Sequence, residues 1–321
     1  MTHPWLEALS AEFAERLRGG RMAHAMLLSG PAGLGKVELA RSFLASLLCL
    51  EETHPACGVC RSCQLVRTGA HPEGHVLTFE QHPKRDELRK ELVVDQVRRL
   101  TAALQLTNTV SRRKAALVYP AESMNASAAN ALLKTLEEPP GDAVLILIAH
   151  NPSRLPATVR SRCQALHARL PDKESAVPWL VNASGSSEPA AALALEAAAG
   201  SPLRALRLLE EDAIGPYRAL NETLDSLREG RCQPAEALAT LADVDPEMLW
   251  AWLSLRAASE TRSQLGRSPE ARDLARLQLQ ADRNRGMVAT PVRQDLLLQD
   301  WLIQWSRLSG QGPRQRESTP Y

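Results

Sequence analysis

Short apolar runs alternate with helical patterns along the first half of the chain. The runs occupy 22–29 (MAHAMLLS), 75–79 (HVLTF), 115–119 (AALVY) and 143–149 (AVLILIA). Each has strand length, and unbroken hydrophobicity is what a parallel sheet covered on both faces requires. After the first run, KVELARSFLASLLCL places Val37, Leu39, Ala40, Phe43, Leu44, Leu47 and Leu48 on one side of a helix. Helical patterns recur at 93–105 and 125–137. Strands alternating with helices predict an α/β domain with a doubly wound parallel sheet over residues 1–168. Beyond RLPDK (169–173) no strand pattern remains. Residues 169–210 read as a small helical unit ending in GSPLRALRLLEE, and 211–309 as a larger all-α unit with repeats such as MLWAWLSLRAA. Residues 310–321, GQGPRQRESTPY, have the composition of a disordered tail. No internal repeat is visible.

Composition changes this picture in few places. A length of 321 residues suits about two domains on a prior of roughly 150 residues each. Aromatics at 4%, with Ala and Leu abundant, favour helices. The net charge of +1, from 38 basic and 37 acidic residues, gives no bulk signal for nucleic acid, so any such surface must be local. The longest apolar run, 143–149, is too short to span a bilayer. The opening MTHPWLEALSAEF carries acids and no long apolar core, so no secretory signal is expected. A cytoplasmic protein follows as the expectation. In a reducing compartment its six cysteines read as metal ligands or buried thiols, not disulfides.

CLEETHPACGVCRSC places Cys49, Cys57, Cys60 and Cys63 within one short stretch. Two successive C-x-x-C steps bring three thiolates to a point, and Cys49, at a helix end, closes a tetrahedron. Four thiolates leave a zinc ion no open position, so the expected site is structural. Arg61 and Arg67 stand nearby and offset the negative charge of such a centre. Two alternatives stay open: unligated thiols, and a site in which His54 replaces one sulfur. Cys163 and Cys232 are isolated and read as small buried hydrophobes.

SGPAGLGKVELA (29–40) follows the first strand and opens the first helix of the alternating pattern. Gly30 and the Gly35–Lys36 pair have the spacing of a phosphate-binding loop, but Val37 stands where a Ser or Thr should hold Mg²⁺. Gly30, Gly33, Gly35 and Lys36 could still cradle phosphates through backbone N–H groups at a helix N-terminus. The plainer alternative is that the glycines only preserve a tight turn.

The four-cysteine insert after the first helix stands with NALLKTLEEPP (130–140) and TVRSRC (158–163). Together these resemble the bacterial DNA polymerase III clamp-loader subunits of the AAA+ superfamily, the gamma/tau/delta-prime family. The resemblance covers the first 210 residues well and the rest in outline. It implies a Rossmann-like AAA+ P-loop domain with a zinc insert (1–168), a helical lid (169–210) and a helical collar (211–309). Its motor members end a strand in an acidic pair that holds Mg²⁺ and polarises water. Here Tyr119 and Pro120 take those positions, and Glu122 falls on the connection beyond them. His150 and Asn151 stand near the motors' polar sensor. With Val37, these losses imply the non-hydrolysing, delta-prime type and not the ATP-hydrolysing gamma/tau type. An independent zinc-dependent nucleic-acid module is disfavoured, since the insert lacks interleaved aromatics and a basic run. ATP or ADP binding is doubtful, and no autonomous ATPase is expected from a chain that would belong to the DNA-directed DNA polymerase holoenzyme. In this family the SRC arginine, here Arg162, projects toward a neighbouring subunit's ATP; the alternative is a structural salt bridge. Arg160 has no assigned role. Arg204 resembles a lid sensor, with displaced spacing. The implied partners are gamma/tau and delta subunits in a hetero-oligomeric ring, and through it the sliding clamp and primer-template DNA, with no membrane.

Overall fold

The computed structural model describes residues 3–81, 87–266 and 268–308. The tail expected to be disordered, 310–321, lies outside the described residues. The helices are α1 (Glu7–Arg18), α2 (Lys36–Leu48), α3 (Arg61–Thr68), α4 (Val94–Gln105), α5 (Ala126–Glu137), α6 (Ala157–Arg160), α7 (Lys173–Ser184), α8 (Glu188–Ala197), α9 (Pro202–Glu210), α10 (Gly215–Arg228), α11 (Pro234–Leu241), α12 (Pro246–Gln264), α13 (Glu270–Gly286) and α14 (Gln294–Arg307). The strands are β1 (Ala25–Ser29), β2 (Gly74–Leu77), β3 (Lys114–Val118), β4 (Ala143–Ala149) and β5 (Gln164–His167). The chain divides into two compact units, one of residues 1–185 and 200–204, the other of 186–199 and 205 onward. The stretch 169–210 is therefore shared between them.

In the first unit the strands form one parallel sheet in the order β2-β3-β4-β1-β5. All residues of β1, β3 and β4 are buried, and alternate side chains feed two separate cores. Leu27, Ala116, Val118, Leu145 and Leu147 pack with Val97, Leu100 and Leu132 of α4 and α5. Met26, Leu28, Ala115, Leu117, Ile146 and Ile148 pack with Phe13 of α1 and with Leu39, Phe43 and Leu47 of α2. A side-chain period of two buried on both sides explains why these strands read as continuous apolar runs. β5 was not legible in the sequence, because its four residues QALH bury only Leu166. α1 and α3 are likewise additions to the expected pattern. Because β3, β4 and β1 are neighbours, the residues after their C-terminal ends converge, and in such sheets that edge is where ligands bind.

The second unit is helical. Trp250, Trp301 and Trp305 are fully buried there, with Trp252, Tyr217, Leu224, Leu253 and Leu277. Every buried indole N–H has an acceptor: Gln294 Oε1 for Trp250 (2.9 Å), Ala197 O for Trp252, Leu277 O for Trp301 and Leu224 O for Trp305 (each 3.0 Å). A buried Trp without such a partner would forfeit a hydrogen bond to water. Among the described residues no helix is long and apolar enough to cross a membrane.

Candidate functional site

The phosphate-type loop leaves β1 at Gly30, which lies against the Ala168 carbonyl, and enters α2 at Lys36. Gly33 (φ 75°) and Gly35 (φ 81°) occupy the left-handed region, which costs glycine little. Their missing side chains admit other parts of the chain. A Cβ on Gly33 would fall 2.3 Å from Ser201 Oγ and 2.6 Å from Arg204 Cγ, and one on Gly35 2.3 Å from the His3 ring. Ser201 Oγ donates to Ala32 O (2.8 Å), Leu203 N to Gly33 O (3.1 Å) and Trp5 Nε1 to Leu34 O (2.9 Å). The His3 ring stacks on Trp5, and Trp179 meets both edge-on. The loop is thus lined and tied by its own chain. His3, Trp5, Trp179 and Ser201 carry no motif, and sequence reasoning missed them. Arg204, displaced by spacing, nevertheless lies on the loop.

Lys36 is 2% exposed. Its Nζ donates to Pro31 O (2.5 Å) and to His150 Nδ1 (3.0 Å). Burial pushes the ammonium down to about 8, against the pull of Glu122 and Glu38. With Nδ1 accepting from the lysine, the neutral His150 ring carries its proton on Nε2, which faces Tyr119 Oη at 3.1 Å. Burial, then Lys36, holds His150 below the usual histidine range. Glu122 stands on a 3₁₀ turn (Ala121–Ser123) after β3, as expected for the connection. Its Oε1 accepts from the backbone N–H groups of His150 (2.7 Å) and Asn151 (3.3 Å), so it braces the end of β4. Val37 packs against the apolar core of that face, and Tyr119 follows β3 with Pro120 after it. Where a P-loop enzyme gathers Mg²⁺ ligands and a base, this chain brings Lys36 at the start of α2 to Tyr119 and His150 at the ends of β3 and β4.

The four cysteines form a second cluster. Cys49 caps the C-terminus of α2, Cys60 caps the N-terminus of α3, and Cys63 lies in its first turn. The sulfurs of Cys49, Cys57, Cys60 and Cys63 all lie within 4.8 Å of one another. For a metal–sulfur bond of about 2.3 Å, a tetrahedron has edges of about 3.8 Å, and Cys57 Sγ and Cys63 Sγ are 3.9 Å apart. Backbone N–H groups of Cys57, Cys60 and Cys63 point at the sulfurs of Cys49, Cys57 and Cys60 (3.4–3.5 Å). Burial opposes ionisation of Cys49, but N–H donors from Cys57, Glu51 and Thr53 outweigh it and hold the thiol at about 6. Burial, with the sulfurs of Cys60, Cys49 and Cys57, pushes Cys63 up to about 12. Four sulfurs this close form a donor set that could hold a metal ion. His54 is no ligand: its Nε2 faces Ser10 Oγ and its Nδ1 Ser46 Oγ, both at 2.8 Å, with the ring edge-on to Phe13 and Phe43. Cys163 and Cys232 are half-buried at the rims of the two units' cores, less enclosed than expected.

Arg162 follows α6 and pairs with Glu137 at the end of α5 (Nε 2.7 Å, Nη2 2.5 Å), while Nη1 donates to Thr158 O (2.8 Å). Its side chain is 35% exposed.

A family model described as DNA polymerase III, delta subunit, matches residues 5–171. The chain is 35% identical over 334 residues to DNA polymerase III subunit delta' of Pseudomonas aeruginosa, covering 97% of this chain and 99% of that one. It is 36% identical over 211 residues to the Escherichia coli K12 subunit of the same name, covering 65% and 61%. A solved structure of a DNA polymerase III gamma-subunit-related protein from Thermotoga maritima aligns over 95% of this chain and 99% of that one, at 17% identity and a TM-score of 0.49. The chain belongs to the DNA polymerase III delta-prime family.

Proposed function

We propose that this chain is a non-hydrolysing subunit of a DNA polymerase III clamp loader, a fixed part of a ring that loads the sliding clamp onto primed DNA. The observation that carries the non-hydrolysing part is the occupancy of the degenerate loop. Val37 offers no hydroxyl to Mg²⁺, Tyr119 and Pro120 offer no carboxylate, and Lys36 is spent on Pro31 and His150. A gamma/tau-type motor requires those groups in order to orient water and neutralise the phosphoryl charge. In this reading residues 169–210 are the lid and 211–309 the collar that meets gamma/tau and delta subunits. The protein works in the cytoplasm with the replisome. Arg162 is its contribution to chemistry, a guanidinium offered to the ATP of a neighbouring subunit. Glu137 and the Thr158 carbonyl hold its three nitrogens on a side chain that is 35% exposed, so reaching a neighbour's ATP exchanges these bonds for phosphate oxygens.

The four-sulfur site holds one structural Zn²⁺ through Cys49, Cys57, Cys60 and Cys63. The all-sulfur donor set favours zinc over hard, oxygen-seeking cations. When bound, the ion lowers the charge and the ionisation cost of four adjacent thiolates, and it performs no catalytic step. Metal analysis of freshly purified, unchelated protein is expected to return about one zinc per chain. A metal-free preparation that takes up no Zn²⁺ would contradict this assignment.

A further inference from the structure

A buried polar group lies beside the sulfur cluster, and none of the chemistry above uses it. Ser62 is fully buried, and Glu73, Ser111 and His71 are 2%, 4% and 6% exposed. His71 Nδ1 accepts from Glu73 N–H (3.2 Å), so its proton sits on Nε2, which faces Ser62 Oγ at 2.8 Å and Ser111 Oγ at 3.1 Å. Both hydroxyls donate to one carbonyl, Leu48 O, at 2.5 and 2.7 Å. The Glu73 carboxylate accepts from Thr109 N (2.6 Å), Thr109 Oγ1 (2.8 Å), Val110 N (3.3 Å) and Ser111 N (3.1 Å). Serine, histidine and an acid in this order invite comparison with a hydrolase triad. The proton count excludes it: His71 donates to the serines and cannot take their protons, and Ser62 meets no solvent.

The connectivity points elsewhere. Leu48 immediately precedes Cys49, and Ser62 lies between Cys60 and Cys63. The Ser62–Leu48 bond therefore joins the two halves of the sulfur cluster, one on α2 and one on the segment leading into α3. His71 and Glu73 lead into β2, and Ser111 stands three residues before β3, so the same group fastens both halves to the sheet. His54, held by Ser10 and Ser46, tethers the intervening loop to α1 and α2. We propose that Ser62, Ser111, His71 and Glu73 are positioning residues for the metal site: they clasp its two halves together, so the sulfurs are arrayed before the metal arrives. This rests on the reading of the cluster as a metal site. It separates the module from small zinc modules, which are unfolded without metal.

Backbone hydrogen exchange of α3, measured on the full chain loaded with Zn²⁺ and after stripping with a chelator, tests the clasp. Stripped wild type should keep α3 protected. His71→Ala and the double variant Ser62→Ala/Ser111→Ala should lose that protection on stripping and release Zn²⁺ to a chromogenic chelator roughly ten- to a hundredfold faster. His71→Gln, which returns an N–H donor toward Ser62, should recover part of the loss. Loss of α3 protection in stripped wild type as complete as in the variants would overturn the clasp, as would release at the wild-type rate. Should His71→Ala not fold, Ser62→Ala alone, which removes only a hydroxyl, decides by the same two readouts. A chain that binds no Zn²⁺ defeats the metal reading separately. The clasp then stands or falls on whether Ser62→Ala lowers α3 protection in the metal-free protein.

Discussion

Lys36 donates to the Pro31 carbonyl and the His150 imidazole at the place where a phosphate-binding lysine would meet its ligand. Its ammonium is held at about 8, below the ordinary lysine value, so the folded chain binds that proton less tightly than the unfolded chain. Between about 8 and the unfolded value of about 10.4 the unfolded state therefore carries more protons, and stability contributed at this site rises with pH. Below about 8 it is at its lowest. Lys36→Met removes the titration. The wild-type-minus-variant difference in unfolding free energy should move in favour of wild type as the pH rises from about 7.5 to about 9.5. Paired denaturant titrations check this, and a difference independent of pH would show that Lys36 is not held as described. The loop motif drew attention to Lys36 and to the missing hydroxyl at Val37. It gave no sign that Ser201, Arg204, Trp5 and His3 close over the glycines, because those contacts join residues far apart in sequence.

At the scale of elements, what was legible follows from burial. β1, β3 and β4 are buried on both faces and announce themselves as apolar runs. β2 and β5 lie at the two sheet edges and bury one residue each; β2 was still legible as the run 75–79, whereas β5 carries almost no pattern. The cysteines were legible because metal geometry is local: a cap on α2, a cap on α3 and one helical turn bring them together. The buried His71–Glu73 pair was not legible, since its partners Ser62, Thr109 and Ser111 arrive from two other segments. The Trp repeat singled out in the sequence lies in α12, whereas the Trp pair of α14, which closes the helical core, was not singled out. Trp301 stacks on Trp305 and donates to Leu277 O of α13. Trp301→Ala should cost about 3–5 kcal/mol of stability in the second unit, through the cavity and the orphaned carbonyl. Loss of Trp305 stacking should be visible in the near-ultraviolet circular dichroism. Denaturation followed by that signal measures both, and a cost under about 1 kcal/mol would contradict the packing described.

For the molecule as a whole, the family match makes the chain a DNA polymerase III delta-prime family member, and the altered strand ends carry the proposal that it turns over no ATP itself. The altered positions act together, so repairing one should not restore turnover. Val37→Thr alone should remain inactive because Tyr119 and Pro120 still supply no carboxylate. Arg162 tests the account most directly. It is a partly exposed guanidinium whose pair with Glu137 contributes about 1 kcal/mol or less to folding. The decisive measurement is steady-state ATP hydrolysis, stimulated by clamp and primed DNA, in a complex reconstituted with wild-type or Arg162→Ala chain, with assembly recorded on the same samples. The isolated chain should show no turnover in either form. The variant should assemble normally, and the complex should lose the part of its hydrolysis that depends on one borrowed arginine, a group worth about 10³–10⁵ in rate at a single site. Arg162→Lys should be nearly as poor, because a point charge does not reproduce the planar fork. Full hydrolysis by an assembled Arg162→Ala complex, or turnover by the isolated wild-type chain that Lys36→Ala abolishes, would contradict the account.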